Sequence, residues 1–140
     1  MQTVESVLER YCAAATNRDV EAMLSLYAPS FRLFDMMLPW QNQSPDAWRT
    51  SVEGWFEGSG AHPGAEAQQI DAVTTAGMAY LTTIMTYFYE AEDGSRKFMH
   101  NRLTWVLMPF GDDWKIVHEH TSVPWNESAG KPEWVFSPEV

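Results

Sequence analysis

Trp114-Lys115-Ile116-Val117-His118-Glu119-His120-Thr121-Ser122 is the last of a series of strand-like runs, and the way its side chains divide between two faces decides what the interior contains. Successive strand residues point to opposite faces. Strict alternation therefore puts Trp114, Ile116, His118 and His120 on one face and Lys115, Val117, Glu119 and Thr121 on the other. With the Trp/Ile face turned inward, both histidines are predicted to point into the protein. Titratable groups in such a place need a partner or a use.

Moving outward from this strand, Gly111-Asp112-Asp113 is a turn, and residues 96–109 form the strand before it. Glu92-Asp93-Gly94-Ser95 is a hairpin signal joining that strand to residues 78–90, rich in Thr, Tyr, Ile and Phe. Residues 66–75 supply a further strand. Towards the N-terminus the period changes. Val4, Val7, Leu8, Tyr11, Cys12 and Ala15 recur at helical spacing, and Asn17-Arg18 end that helix. Asp19 caps a second helix with Val20, Met23, Leu24 and Tyr27 on its inner face, stopped by Ala28-Pro29. Residues 31–34 read as a short strand ending at Asp35, and residues 36–43 as a loop with unusual apolar content. Ser44-Pro45-Asp46 opens a third helix, with Trp48, Val52, Trp55 and Phe56 on its apolar face, closed by the Gly58–Gly64 segment.

Helix, helix, short strand, helix, then four long strands is an α+β order. Three N-terminal helices are expected to pack on one face of a curved, mostly antiparallel sheet that folds round them as a cone and encloses a pocket. The length fits one domain, placed at 1–124, with 125–140 as an aromatic, Pro-rich tail carrying Trp125, Trp134 and Phe136. A net charge of -10 disfavours nucleic acid and anionic membranes as partners. A single cysteine, Cys12, excludes an intrachain disulfide framework. Without an apolar leader or a run long enough to span a bilayer, a cytoplasmic location is the expectation.

Two stretches carry a family resemblance. Glu9-Arg10-Tyr11 through Asp35, with the helix-capping Asp19 and the Tyr27-Ala28 pair, resembles the opening of bacterial ketosteroid isomerases. Arg102-x-Thr104, a turn, and Trp114-x-Ile116-x-His118-x-His120-x-Ser122 is similar to the final hairpin of SnoaL-like domains. Both belong to the NTF2-like superfamily. The resemblance implies that Tyr11 stands where those isomerases keep an oxyanion-hole tyrosine and Asp35 where they keep the general base. Their third group, a protonated carboxylic acid, would fall near Thr104, where this chain has no acid and offers Arg102 two residues away. It also implies a homodimer formed through the outer face of the sheet.

The expectation is a pocket for a small, mainly apolar organic ligand bearing a carbonyl or carboxylate. If catalysis occurs there, it is acid–base chemistry of an isomerase, cyclase or dehydratase that needs no cofactor; the alternative is a binding or dimerisation module without turnover. Asp35 is the candidate base and Tyr11 the candidate hydrogen-bond donor to an enolate. His118 and His120 are candidates for acid–base work, for structural roles, or for metal ligation completed by His100 or Asp35. Arg102 with Thr104 would anchor a carboxylate if inward-facing, and Arg102 would be a surface cation or a partner of Glu119 if not. Trp40, Trp55 and Tyr87 are expected on the ligand-facing wall.

Overall fold

The computed structural model describes residues 2–137. Helix α1 (Val4–Asn17) and helix α2 (Val20–Leu24) precede strand β1 (Tyr27–Phe34), and helix α3 (Pro45–Glu57) follows it. Four long strands come next: β2 (Ala61–Thr74), β3 (Ala79–Glu90), β4 (Arg96–Phe110) and β5 (Asp113–Ser122). A short hairpin, β6 (Trp125–Asn126) and β7 (Lys131–Pro132), ends the described chain. The main sheet runs β1-β5-β4-β3-β2, antiparallel throughout except where β1 lies parallel to β5. This is the expected α+β cone, helices lying within the curve of a mostly antiparallel sheet.

Helix starts follow the sequence signals. The side chains of Thr3, Asp19 and Ser44 accept from the N–H groups of Ser6, Ala22 and Ala47, and Pro45 follows Ser44 at the first helical position. Each such cap contributes about 1 kcal/mol. Helix α2 is shorter than its apolar pattern predicts. It stops at Leu24 because the Leu26 carbonyl is taken by the N–H of Ile116, which draws Tyr27 and Ala28 into β1. Strand β2 likewise begins earlier than residue 66, since Ala61 and Gly64 already pair with Glu90 and Phe88. Gly64 has a steric reason to be glycine: a Cβ there would stand 2.2 Å from the Phe88 ring.

Irregularities in the strands curve the sheet. In β2 the register breaks between Gln68 and Asp71, with Gln69 at φ 52, and the freed Gln68 carbonyl accepts from the buried Thr83 hydroxyl at 2.8 Å. In β5 the pairing passes from Leu107–Ile116 to Val106–His118, which leaves Val117 as an extra residue. Such a bulge bends a strand and shifts its alternation by one. The buried positions accordingly change from Trp114 and Ile116 to Glu119 and Thr121. The histidines therefore leave the sheet on its outer side, contrary to the face that strict alternation predicts.

Val7, Leu8, Tyr11, Met23, Leu33, Val52, Leu81, Leu103, Trp105 and Ile116 form the core between helices and sheet. Beyond Ser122 the inner edge of β4 has no β5 partner. The tail occupies it: the His100 N–H donates to the Trp134 carbonyl at 2.7 Å, and the Phe136 N–H donates to His100 Nδ1 at 2.8 Å. Covering an open edge in this way removes a template for non-native strand pairing.

If the Thr83 hydroxyl holds the β2 bend, Thr83→Val, which keeps the shape and removes the donor, should destabilise the fold by about 1–2 kcal/mol. Urea unfolding followed by Trp fluorescence checks this, and an unchanged midpoint would assign the bend to packing alone.

Candidate functional site

Between α3, the loop after β1 and the concave face of β3 and β4 lies a cavity of about 500 Å³. Its walls are mainly apolar, from Trp48 and Trp55 on α3, Met36, Met37 and Leu38 on the loop, and Met99 on β4. The polar lining comes from Tyr11, Asp35, Ser51, Tyr87 and Asn101. The loop is pinned at its base, where Leu33 and Asn42 exchange backbone hydrogen bonds in both directions. Its apolar residues are thereby held over the cavity mouth, Leu38 83% exposed. Helix α3 adds open space at Gly54, where a Cβ would meet nothing within 4 Å.

Asp35 stands at the end of β1. Its Oδ1 accepts from the Thr121 hydroxyl at 3.0 Å, and its Oδ2 accepts from the Met37 N–H at 3.2 Å. Thr121 is itself oriented by the Met36 N–H, which donates to its oxygen at 2.8 Å. Burial raises the Asp35 pKa, and the hydrogen bonds from Thr121, Met37 and Met36 oppose that rise without cancelling it. Across the cavity the Tyr11 and Tyr87 hydroxyls lie 2.9 Å apart. Burial pushes both phenols above their ordinary value, so both are neutral donors at physiological pH.

Behind this pair is Glu119, 1% exposed. Its Oε1 accepts from the Tyr27 hydroxyl at 2.7 Å and from Trp105 Nε1 at 2.8 Å. Burial raises its pKa to about 7, with the two hydrogen bonds acting in the opposite direction. The interior thus holds a protonatable carboxyl, supplied by β5 rather than by the region of Thr104.

Two further polar groups on the wall lack partners. Trp48 Nε1 is buried with no acceptor, and Asn101 Oδ1 is buried with no donor, while the Asn101 amide nitrogen lies 3.1 Å from Met36 Sδ. Trp48 is 3% and Asn101 5% exposed. Both atoms are sealed beneath the cavity surface, the Arg10 Nε and Asn42 Nδ2 atoms are likewise buried and unpaired, and since buried polar atoms are nearly always paired each is a local cost of packing.

Of the residues singled out in the sequence, Tyr11, Asp35, Trp55 and Tyr87 converge on this cavity. His118 and His120 do not. His118 Nδ1 lies 2.6 Å from the Arg32 carbonyl, and both rings stand edge-on to Phe34 on the outer side of the sheet. The Val117 bulge is the reason. With the histidines outside and Asp35 inside, the metal set built from them is not assembled; among the described residues no three His, Cys, Asp or Glu side chains gather at metal-binding spacing. Arg102 and Thr104 also lie on the outer face, because Asn101, Leu103, Trp105 and Leu107 take the inner positions of β4. Arg102 is exposed and donates to the Ser122 hydroxyl at 3.1 Å, not to Glu119. Trp40 is 88% exposed at the loop tip, away from the lining. Cys12 is half-buried, and burial pushes its thiol up to about 11, so it is no nucleophile.

Glu119, Thr121 and Asn101 belong to the site or its support and are not evident from the chain, whereas Trp48, on the apolar face of the third helix, is. Glu119 and Thr121 do share a face at two-residue spacing, the same signal that drew notice to the histidines.

A family model for the SnoaL-like domain matches residues 4–126. The chain belongs to the SnoaL-like domain family. Solved structures agree in fold. An NTF2-like protein of unknown function from Pseudomonas putida KT2440 superposes with a TM-score of 0.85 at 20% identity, over 96% of this chain and 94% of that one. A provisionally named dehydratase of the NTF2-like family from Streptomyces avermitilis gives 0.74 at 15% identity, over 85% and 92%. An NTF2-like protein with a cystatin-like fold from Novosphingobium aromaticivorans gives 0.75 at 11%, over 91% and 83%. At these identities the likeness is one of fold. No curated protein matches the chain. No helix among the described residues is long and apolar enough to cross a membrane.

Glu119 binds its proton more tightly folded than unfolded, since its pKa rises from an ordinary 4.5 to about 7. Its contribution to stability is therefore complete below about pH 4.5 and is lost as pH rises through about 7, a difference of roughly 3 kcal/mol. Asp35, also raised, adds a loss of the same sign. Glu119→Gln keeps an acceptor for Tyr27 and Trp105 and removes the ionisation. Urea midpoints of this variant should fall much less between about pH 5 and about pH 8 than those of the wild type. Parallel curves for the two proteins would place the titrating group elsewhere.

Proposed function

We propose that this SnoaL-like protein binds a small, mainly apolar carbonyl compound in the cavity beside Asp35 and moves a proton on it without a cofactor. The supporting observation is that Asp35 shares one cavity with the Tyr11–Tyr87 hydroxyl pair. Asp35, in its ionised form, abstracts a proton from the carbon next to the carbonyl. Its raised proton affinity brings it closer to such a task than an exposed carboxylate. One hydroxyl of the tyrosine pair donates to the carbonyl oxygen as negative charge develops, and the other tyrosine hydroxyl orients it. Thr121 is a positioning residue: it fixes the Asp35 carboxylate from β5. Protonation returned at a second carbon gives isomerisation, and loss of a leaving group gives elimination; the named dehydratase of the same fold is consistent with the latter.

A second reading has its own support. Both Asp35 oxygens already accept hydrogen bonds, an arrangement equally suited to a fixed acceptor in a site that binds without turnover. Under either reading we propose that the protein forms a homodimer through the outer sheet face, where Tyr80, Met108 and Phe110 are exposed.

Solvent-deuterium exchange at the α-carbon, followed by proton NMR across a panel of cyclic ketones and enones, separates the two readings. The catalytic reading predicts exchange that rises with pH as Asp35 ionises and falls about 100- to 10,000-fold in Asp35→Asn. Exchange unchanged in Asp35→Asn removes Asp35 as base; ligand-induced thermal stabilisation with no exchange supports binding alone. Gly54→Leu places a side chain in the cavity's open space. It should raise thermal stability slightly, by up to about 1 kcal/mol from helix propensity, while abolishing ligand-induced stabilisation.

A further inference from the structure

Charge is distributed unevenly around the cavity. Among the described residues that line it, Asp35 alone carries a formal charge, and none is Lys, Arg or His. The cations that neighbour the lining residues in sequence are turned away or engaged elsewhere. Arg102 follows Asn101 on β4, yet it is exposed on the outer face and donates to Ser122. Arg32 precedes Asp35 on β1, also exposed, with its guanidinium 4.7 Å from the centre of the Phe34 ring. Arg49 follows Trp48 on α3 and pairs with Glu21. Arg10 on α1 is not part of the lining, and Lys97 lines a smaller neighbouring recess and not this cavity. Asp35 therefore has no ion-pair partner among the described residues.

The two Asp35 oxygens are held by neutral donors, the Thr121 hydroxyl and the Met37 N–H. These bonds fix the carboxylate without neutralising it. Glu119 places a second carboxyl behind the tyrosine pair, with Tyr27 and Trp105 as its donors. An anionic ligand would enter beside Asp35 with no cation in the lining to offset the repulsion. It would also shed its water against the half-buried Met36, Trp55 and Met99. Taking a full charge out of water costs far more than taking out a carbonyl. A carbonyl meets no such obstacle. The Tyr11 and Tyr87 hydroxyls, 2.9 Å apart, spend one hydrogen on each other, which leaves one O–H for a further acceptor.

We propose that the cavity selects uncharged carbonyl compounds and turns away anionic ones, and that Asp35 sets this selectivity. Of the two ligand groups that the chain suggested, carbonyl or carboxylate, only the first then fits, because the Arg102 anchor that a carboxylate would need lies on the other side of the sheet. This deepens the reading of the Asp35 cavity as a site for a carbonyl compound and rests on it, but it does not depend on turnover.

The probes are two ketones of nearly equal shape, neutral para-acetylbenzenesulfonamide and anionic para-acetylbenzenesulfonate, whose charge does not titrate in the working range. Binding is read by calorimetry at low ionic strength on the full chain, with folding of each variant verified by circular dichroism. Near neutral pH the wild type should bind the sulfonamide about 10- to 100-fold more tightly than the sulfonate. Asp35→Asn should close most of that margin, through a gain for the sulfonate that exceeds any change for the sulfonamide. The wild type supplies a second reading that needs no variant of Asp35. As pH falls and Asp35 takes up its proton, the sulfonate should bind more tightly and with proton uptake, while the sulfonamide should not. Glu119→Gln should keep that pH dependence, which separates Asp35 from the other interior carboxyl. Equal affinity for the two probes in the wild type, or a margin unchanged by Asp35→Asn and by pH, overturns the assignment and leaves the proton-exchange test of Asp35 untouched. Failure of both ketones to bind the folded wild type overturns it as well. The expected margin without any α-carbon exchange upholds the selectivity and removes only the catalytic reading.

Discussion

One extra residue in one strand sets the character of the interior. At Val117 strand β5 carries a residue that β4 does not match, and from there on the inward positions belong to Glu119 and Thr121. A buried carboxyl is tolerable only if satisfied or neutral. Glu119 meets both conditions, accepting from Tyr27 and Trp105 and holding its proton up to about pH 7. Thr121 in turn ties Asp35 to the sheet across the β1–β5 pairing. Without the bulge the same strand would turn two imidazoles inward, and Asp35 would lose its support from β5.

How much of this was legible depends on whether a feature is local. Helix caps at Thr3, Asp19 and Ser44, the hairpin at Glu92–Ser95 and the succession of elements are written in neighbouring residues, and the structure follows them. The convergence of Tyr11 and Asp35 came from the family resemblance together with the helical face of Tyr11. The faces of β4 and β5 are another matter. Val106 and Met108 are apolar outward residues, so alternation in β4 did not separate inside from outside, and Arg102 and Thr104 could be assigned to either. In β5 the bulge arises from pairing with β4 and β1, partners distant in sequence, and Val117 has no special backbone chemistry to announce it. Likewise Trp40 looks like a pocket residue only until the loop's anchor at Leu33–Asn42 shows where its tip lies.

The site also shows where the chain departs from what folding alone would favour. Gly54 weakens a helix and leaves space; Trp48 Nε1 and Asn101 Oδ1 lie buried without partners; Leu38 is an exposed apolar residue over the mouth. Each is unfavourable to the fold, and all four residues belong to the wall of one cavity. Such clustered departures are typical of binding sites.

The placement of the carboxyls is the claim on which the account stands, and carbon-detected NMR titration of the Asp and Glu side-chain carboxyls reads it most directly. The inward placement predicts that one glutamate, assigned as Glu119 by its loss in Glu119→Gln, titrates near pH 7 and perturbs Tyr27 and Trp105 as it does so. A Glu119 that titrates at the ordinary value of 4.5 would put it in solvent and contradict the bulge, the support of Asp35 and the site built on them.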